Sequence, residues 1–250
     1  MVYDLYGKFK RVLNHKEGEL YVQVHNYDDG NLICRHNDVV GTNCQTFSII
    51  SKSNGSTTKE IQIPVNSEKK SATVRIAYQG GGAVILGLRH LYHSMIPNHN
   101  TWVLAEHSSD TIYKYLSDES LCPFIVRVPS IQSMNPEVFL FPGILTERYY
   151  FMQNFKKEQD EGYTTTELVY DKQEKNIFNS TVYNDDYTNK SPLSMIRATV
   201  NTEIAFWAKL EAYELIESYE KGELSGRLKE IAAGLDEEDN AVIMLVKYKK

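Results

Sequence analysis

Between residues 19 and 64, apolar and polar side chains alternate in short bursts at 20–24, 32–35, 46–50 and 59–63. A period of two is that of a half-buried strand, whose successive side chains point to opposite faces. The separators are turn chemistry. Asn26-Tyr-Asp-Asp-Gly30 and Ser51-Lys-Ser-Asn-Gly55 both end in Gly preceded by Asp or Asn, which favours the tight turns of antiparallel strands. A second, less regular unit spans 72–128, with strands predicted at 84–88, 101–106, 111–115 and 124–128 around an irregular segment at 89–100. A third covers 146–183, with strands at 148–155, 165–170 and 177–183.

The chain changes character after Ser191. Asn201 or Thr202 can cap a helix whose apolar positions Phe206, Leu210, Tyr213 and Ile216 follow the helical period, with Gly222 to end it. A second short helix is predicted at 224–233, stopped by Gly234. The acidic stretch Asp236-Glu-Glu-Asp239 then feeds a strand at 242–246 that is apolar on both faces. Such a strand left as an open edge invites aggregation, so it must find a partner, and a closed β architecture is one way to supply it. Four strands in roughly 45 residues match one propeller blade. The pattern therefore predicts an all-β propeller over residues 1–250, with about four blades present, a helical insertion at 201–234 and a closing strand at 241–248.

Composition narrows the functions. The 27 basic and 33 acidic residues give a net charge of −6, and the basic residues are scattered, which argues against a nucleic-acid surface. Seventeen tyrosines suit a pleated, strand-rich domain. No apolar run reaches the roughly 18 residues of a membrane helix, and the opening Met1-Val-Tyr-Asp-Leu5 lacks the charged and apolar regions of a signal peptide. Cys34, Cys44 and Cys122 include no Cys-x-x-Cys pair. Cys34 and Cys44 flank a hairpin loop and can pair in an oxidising compartment or remain buried free thiols.

Several local motifs carry a resemblance. Val2-Tyr-Asp-Leu-Tyr-Gly-Lys-Phe-Lys-Arg11 looks like a blade ending in which an apolar strand, a Gly turn and a basic strand follow one another. Ala105-Glu-His-Ser-Ser-Asp-Thr-Ile-Tyr-Lys-Tyr115, Val182-Tyr-Asn-Asp-Asp186 and Asp239-Asn-Ala-Val-Ile-Met-Leu-Val-Lys247 supply further similar elements. Together they resemble the six-bladed, TolB-like β-propeller proteins of Bacteroidota, over nearly the whole chain. The resemblance implies periplasmic or outer-membrane lipoprotein localisation. It also implies an export signal and further blades ahead of the segment equivalent to Met1, so that this chain corresponds to the C-terminal part of a ring and can self-associate through open blade edges.

Candidate chemistry is sparse. Four of the seven histidines fall in Arg89-His-Leu-Tyr-His93, His99 and Glu106-His107. His90, His93, Glu106 and His107 form the alternative metal set, but the His90 and His93 spacing places them on opposite faces of a strand. Asp185 and Asp186, beside Asn184 and Asn189, offer oxygen ligands without the spacing of a calcium loop. Gly80-Gly-Gly82 lacks the Gly-Lys-Ser/Thr of a phosphate loop, and no Gly-x-Ser-x-Gly elbow is present. Tyr149, Tyr150, Phe151, Tyr163, Tyr170 and Tyr187 either pack between blades or stack on a sugar or peptide. The helix around Trp207 either docks a partner protein or covers the chain's own apolar surface. The resulting expectation is a non-catalytic binding or scaffold module without a cofactor. It recognises a small molecule, glycan or protein through residues such as Arg89, His93, His107, Asp185 and Asp186. The alternative is a metal-dependent propeller lyase or hydrolase.

Overall fold

The computed structural model describes residues 1–13, 20–36, 47–64, 73–78, 81–87, 92–158, 162–197, 199–201 and 203–249. The chain forms two compact units, Met1–Lys69 and Lys70–Lys250. In the first, β1 (Val2–Tyr3) and β2 (Phe9–Arg11) make a hairpin. Its turn is closed by Asp4, whose Oδ1 accepts the N–H groups of Tyr6 and Lys8. β3 (Tyr21–Asn26), β4 (Asn31–His36), β5 (Phe47–Ser51) and β6 (Thr57–Ile61) pair in sequence order as an antiparallel meander. Asp28 holds the β3–β4 turn by accepting the N–H groups of Gly30 and Asn31, each at 2.7 Å. Gly55, at φ +80°, permits the β5–β6 turn. The two central strands bury Ile33, Cys34, Phe47, Ile49 and Ile50. Burial pushes the Cys34 thiol up to about 12; Cys44 lies outside the described residues.

In the second unit β7 (Thr73–Tyr78) pairs with β8 (Gly82–Gly87). A four-stranded sheet follows, built in order from β9 (Met95–Asn98), β10 (Thr101–Leu104), β11 (Thr111–Tyr115) and β12 (Leu121–Val126). Another runs through β13 (Val138–Leu145), β14 (Tyr149–Lys157), β15 (Tyr163–Asp171) and β16 (Asn176–Asn179). The β15–β16 turn is fastened by Asp171. It accepts the Gln173 N–H and a two-pronged contact from Arg148 Nε and Nη2, at 3.0 and 2.7 Å. Alternation along β13 sends Phe139 and Phe141 to one face, where they cluster with Val74, Tyr92, Ile131 and Phe155. Leu140, on the opposite parity, joins Leu145 and Tyr150 against Ile96, Val103, Ala105 and Ile112. β13 is thus covered on both faces, which explains its near-continuous apolar sequence.

Several regions differ from the sequence expectation. Residues 89–100, expected to be irregular, contain β9 from Met95, and β13 was not expected at all. Both carry a proline, Pro97 and Pro142, and both lie at sheet edges, where a missing N–H costs no ladder bond. The helix expected from 201 begins only at Ala212, since Ile204–Leu210 is a strand, β17. Phe206 and Ala208 point inward while Trp207 and Lys209 point out, and the pairing partner is β18 (Val242–Lys247). An aromatic and β-branched run with a strand available to pair is better placed in a ladder than in a helix. The helix α1 (Ala212–Glu220) accordingly buries Ala212 and Leu215, leaves Tyr213 exposed, and ends at Gly222, φ +70°. Leu215 packs with Leu224 and with Leu228 and Ala232 of the second helix, α2 (Gly226–Ala232). β18 has its partner, yet it is apolar toward two different surroundings. Val242, Met244 and Val246 are partly buried, whereas Ile243 and Leu245 are 54% and 51% exposed beside Trp207 at 51%. Among the described residues no helix is long and apolar enough to cross a membrane.

The β13–β14 register shifts between Pro142 and Leu145, and this irregularity frees the Ile144 N–H to bond the Met195 carbonyl at 2.9 Å. A Cβ on Gly143 would lie 2.3 Å from that carbonyl oxygen and 2.9 Å from Ile196 Cδ1. Gly143→Ala must therefore push the 192–196 segment off β13. Overpacking of this kind costs about 1–3 kcal/mol. A lowered melting temperature, together with shifted Ile144 and Met195 amide resonances, is the expected outcome.

Candidate functional site

A polar chain crosses the β13–β14–β15 sheet on the face that carries Phe139 and Phe141. In the ladder Gln153 stands opposite Phe141 on one side and opposite Glu167 on the other. Cross-strand neighbours sit within side-chain reach, so Gln153 Nε2 donates to Glu167 Oε1 at 2.8 Å. Tyr92 lies flat on Phe141, with ring centroids 3.7 Å apart and planes 5° from parallel, and meets Phe155 edge-on. That stack delivers its hydroxyl to Gln153 Oε1 at 2.5 Å. The tyrosine donation fixes which end of the Gln153 amide faces Glu167, because a phenol O–H must find the carbonyl oxygen. Burial pushes the Tyr92 phenol up to about 12, so it remains a donor.

A cavity of about 230 Å³ is lined by Glu167 together with Ser180, Thr181, Val182, Pro192, Leu193, Ser194 and Met195. The lining segments are irregular but not loose. Ser180 N–H donates to the Glu167 carbonyl, Leu193 N–H to the Val182 carbonyl, Asn184 N–H to the Ser191 carbonyl, and Tyr183 bridges Pro192. Met195 is held on β13 through Ile144 and packs with Phe206 and Ala205. Arg197 Nε donates to the Ser194 carbonyl, while its guanidinium lies 5.2 Å from the Phe206 ring centroid. Burial raises the Glu167 carboxyl above its ordinary value of 4.5, with the Gln153 hydrogen bond opposing that rise.

Among the described residues, none of those anticipated from sequence lines this cavity. Arg89 and His90 lie outside the described residues. His93 is half-buried, and burial, followed by the charge of Arg197, lowers its tendency to protonate. Glu106 and His107 are buried in the turn between β10 and β11. There Glu106 Oε1 accepts the Ser108 N–H at 3.4 Å and the His107 ring meets Phe141 edge-on at 5.4 Å. Among the described residues no three His, Cys, Asp or Glu side chains gather as metal ligands, so His93, Glu106 and His107 do not form a set. Asp185 and Asp186 belong to a docking turn: Ser225 donates its hydroxyl to the Asp185 carbonyl and its N–H to the Asp186 carbonyl, seating α2. The aromatic residues are largely engaged with one another. Phe124, Tyr150 and Tyr170 form a chain of ring contacts, Tyr163 stacks on Phe155 at 4.4 Å, and Tyr187 packs against the helical cluster.

The sequence did carry one signal for Glu167. It shares strand parity with Val169 in Tyr163–Asp171, so it places an acid on the same face as an apolar neighbour.

The raised carboxyl makes a signed prediction. Folding favours its neutral form, so its contribution is full below 4.5 and is lost as pH rises through the raised folded value. Glu167→Gln, neutral at every pH, should therefore gain stability relative to the parent between pH 4 and pH 7, measured by parallel thermal melts. Tyr92→Phe, which strips Gln153 of its donor, should cost about 1 kcal/mol and shift the Gln153 side-chain amide resonances.

No protein-family model matches the chain, and no curated protein does. Among solved structures, it is similar to a crystal structure of a Bacteroides fragilis protein that its name provisionally describes as exported. The TM-score is 0.57 at 15% identity, and the match covers 99% of this chain and 70% of that one. At that identity the likeness is one of fold.

Proposed function

We propose that this chain is a non-catalytic, ligand-binding β-propeller of the bacterial cell envelope, with the Glu167 cavity as its binding site. The carrying observation is that cavity. A single acid, oriented by a hydrogen bond from a neutral amide, shares its lining with hydroxyl-bearing and apolar residues on anchored segments, which is the composition of a small-molecule site. Among the hydrogen bonds of the described residues, none joins Ser180, Thr181 or Ser194 to a histidine or an acid side chain, so the cavity is read as binding rather than covalent chemistry. The blade reading is supported by sheets in which each strand pairs with its neighbour in sequence. The envelope reading is supported by the resemblance to TolB-like propellers and by the exported name of the Bacteroides fragilis protein.

A thermal-shift screen of small polar compounds tests the binding reading. A ligand at a hundredfold excess over its Kd stabilises by about 2.7 kcal/mol, so upward shifts of several degrees are expected, and they should survive chelator. Divalent-cation-dependent turnover of a glycan or ester, abolished in His107→Ala, would overturn it in favour of a metal-dependent lyase or hydrolase. Fractionation of the native host should place the protein with envelope markers; a purely cytosolic distribution would remove the envelope assignment.

A further inference from the structure

Resting on the reading of the Glu167 cavity as a binding site, we infer that its ligand class is a small primary ammonium with a compact apolar body. Glu167 is partly buried, and the hydrogen bond to its carboxylate comes from the neutral Gln153 amide. Among the described residues no lysine or arginine forms an ion pair with it, and no cation contributes to the displacement of its titration. Arg197, the basic residue bonded to the lining backbone at Ser194, directs its guanidinium to the Phe206 ring. A carboxylate withdrawn from water without a counter-charge is destabilised, and an incoming cation removes that penalty.

Oε1 is taken by Gln153, whose own amide is fixed by Tyr92, so the carboxylate cannot rotate freely without breaking that chain. Among the described residues Oε2 accepts no hydrogen bond, and it is the natural acceptor for a ligand N–H. An ammonium carries three donors and no acceptor. One goes to Glu167, and the others find oxygens in Ser180, Thr181 and Ser194, which line the same space. Thr181 and Ser194 are exposed, so they sit at the mouth, while Val182, Leu193 and Met195 supply the apolar wall. An anionic ligand would meet an uncompensated carboxylate, and a neutral alcohol would leave its charge unbalanced. The cavity, at about 230 Å³, suits a compact organic amine.

The test is a titration of the full chain, labelled at the methyl groups of Val182, Leu193 and Met195, with cyclohexylammonium and in parallel with cyclohexanol. The expected result is saturable shifts of those methyls with the amine and an affinity at least about tenfold weaker for the alcohol, since a charge-assisted hydrogen bond is lost. Glu167→Gln keeps an oxygen for Gln153 and should abolish the preference. Thr181→Trp, at an exposed position, should obstruct the mouth and weaken the amine without unfolding the protein. Equal binding of amine and alcohol, or amine shifts unaltered by Glu167→Gln, would overturn the cationic class while leaving the cavity a binding site. Shifts unaltered by Thr181→Trp would place the amine elsewhere and overturn the assignment. No shift from either probe would overturn both the class and the cavity reading.

Discussion

The approach of the Met195 carbonyl to Gly143 governs how the second unit is put together around its cavity. β13 is an edge strand, and an edge leaves N–H and C=O groups without a ladder partner. The irregularity after Pro142 turns the Ile144 N–H outward, the absence of a side chain at Gly143 lets another backbone come close, and Met195 takes the bond. One exposed edge is thereby covered in place of a further strand. The same contact immobilises the segment from Pro192 to Met195, which then supplies one wall of the cavity. Met195 and Ile144 also share the apolar cluster that includes Ala205 and Phe206, so the edge, the wall and the β17–β18 pair are parts of one packing solution.

Against that frame the polar chain Tyr92–Gln153–Glu167 is an expensive feature. Each buried polar group costs free energy unless it is bonded, and an ionised carboxyl costs most. The structure satisfies the phenol and one end of the amide at each step, using the ladder to bring Gln153 opposite Glu167 and the Phe141 stack to bring Tyr92 over Gln153. It then leaves the acid compensated only by a neutral donor. Arg148 and Asp171 show what the same sheet does when stability alone is served. There the acid is met by a guanidinium through two prongs and by turn N–H groups, and its carboxyl is held below the ordinary range, first by that hydrogen bond from Arg148. Two acids four residues apart on β15 are thus handled in opposite ways.

The strand-rich class and the meander at 20–63 were legible because turn residues and period-two alternation agree there: Asp28, Gly30 and Gly55 perform the turn roles that their chemistry suggests. Legibility failed where one residue type carried two meanings. Proline reads as a strand breaker, but Pro97 and Pro142 occupy edges where no donor is required, so β9 and β13 escaped notice. The spacing Phe206, Leu210, Tyr213 and Ile216 matches a helix, yet the first two belong to β17 and Tyr213 faces solvent, because the availability of β18 decides the matter and sequence periodicity does not record it. The histidine cluster drew attention through residue type alone, whereas Glu167 required knowing which face of β15 turns toward Gln153. That knowledge depends on register, a non-local property.

The site combines two kinds of backbone with different tolerances. Gln153 and Glu167 sit in the interior of a regular ladder, where their positions are set by hydrogen-bond register and change little when neighbouring loops change. The remaining lining comes from residues 180–182 and 192–195, connected by a few backbone bonds and seated on the edge at Gly143. Substitution there alters the shape and hydroxyl content of the cavity without moving the acid. A fixed charge with a variable wall lets one scaffold keep a ligand's charged end constant while its body differs, which is how loops on a rigid frame commonly carry specificity. The geometry that makes the acid costly in isolation is therefore also what makes its position dependable for recognition.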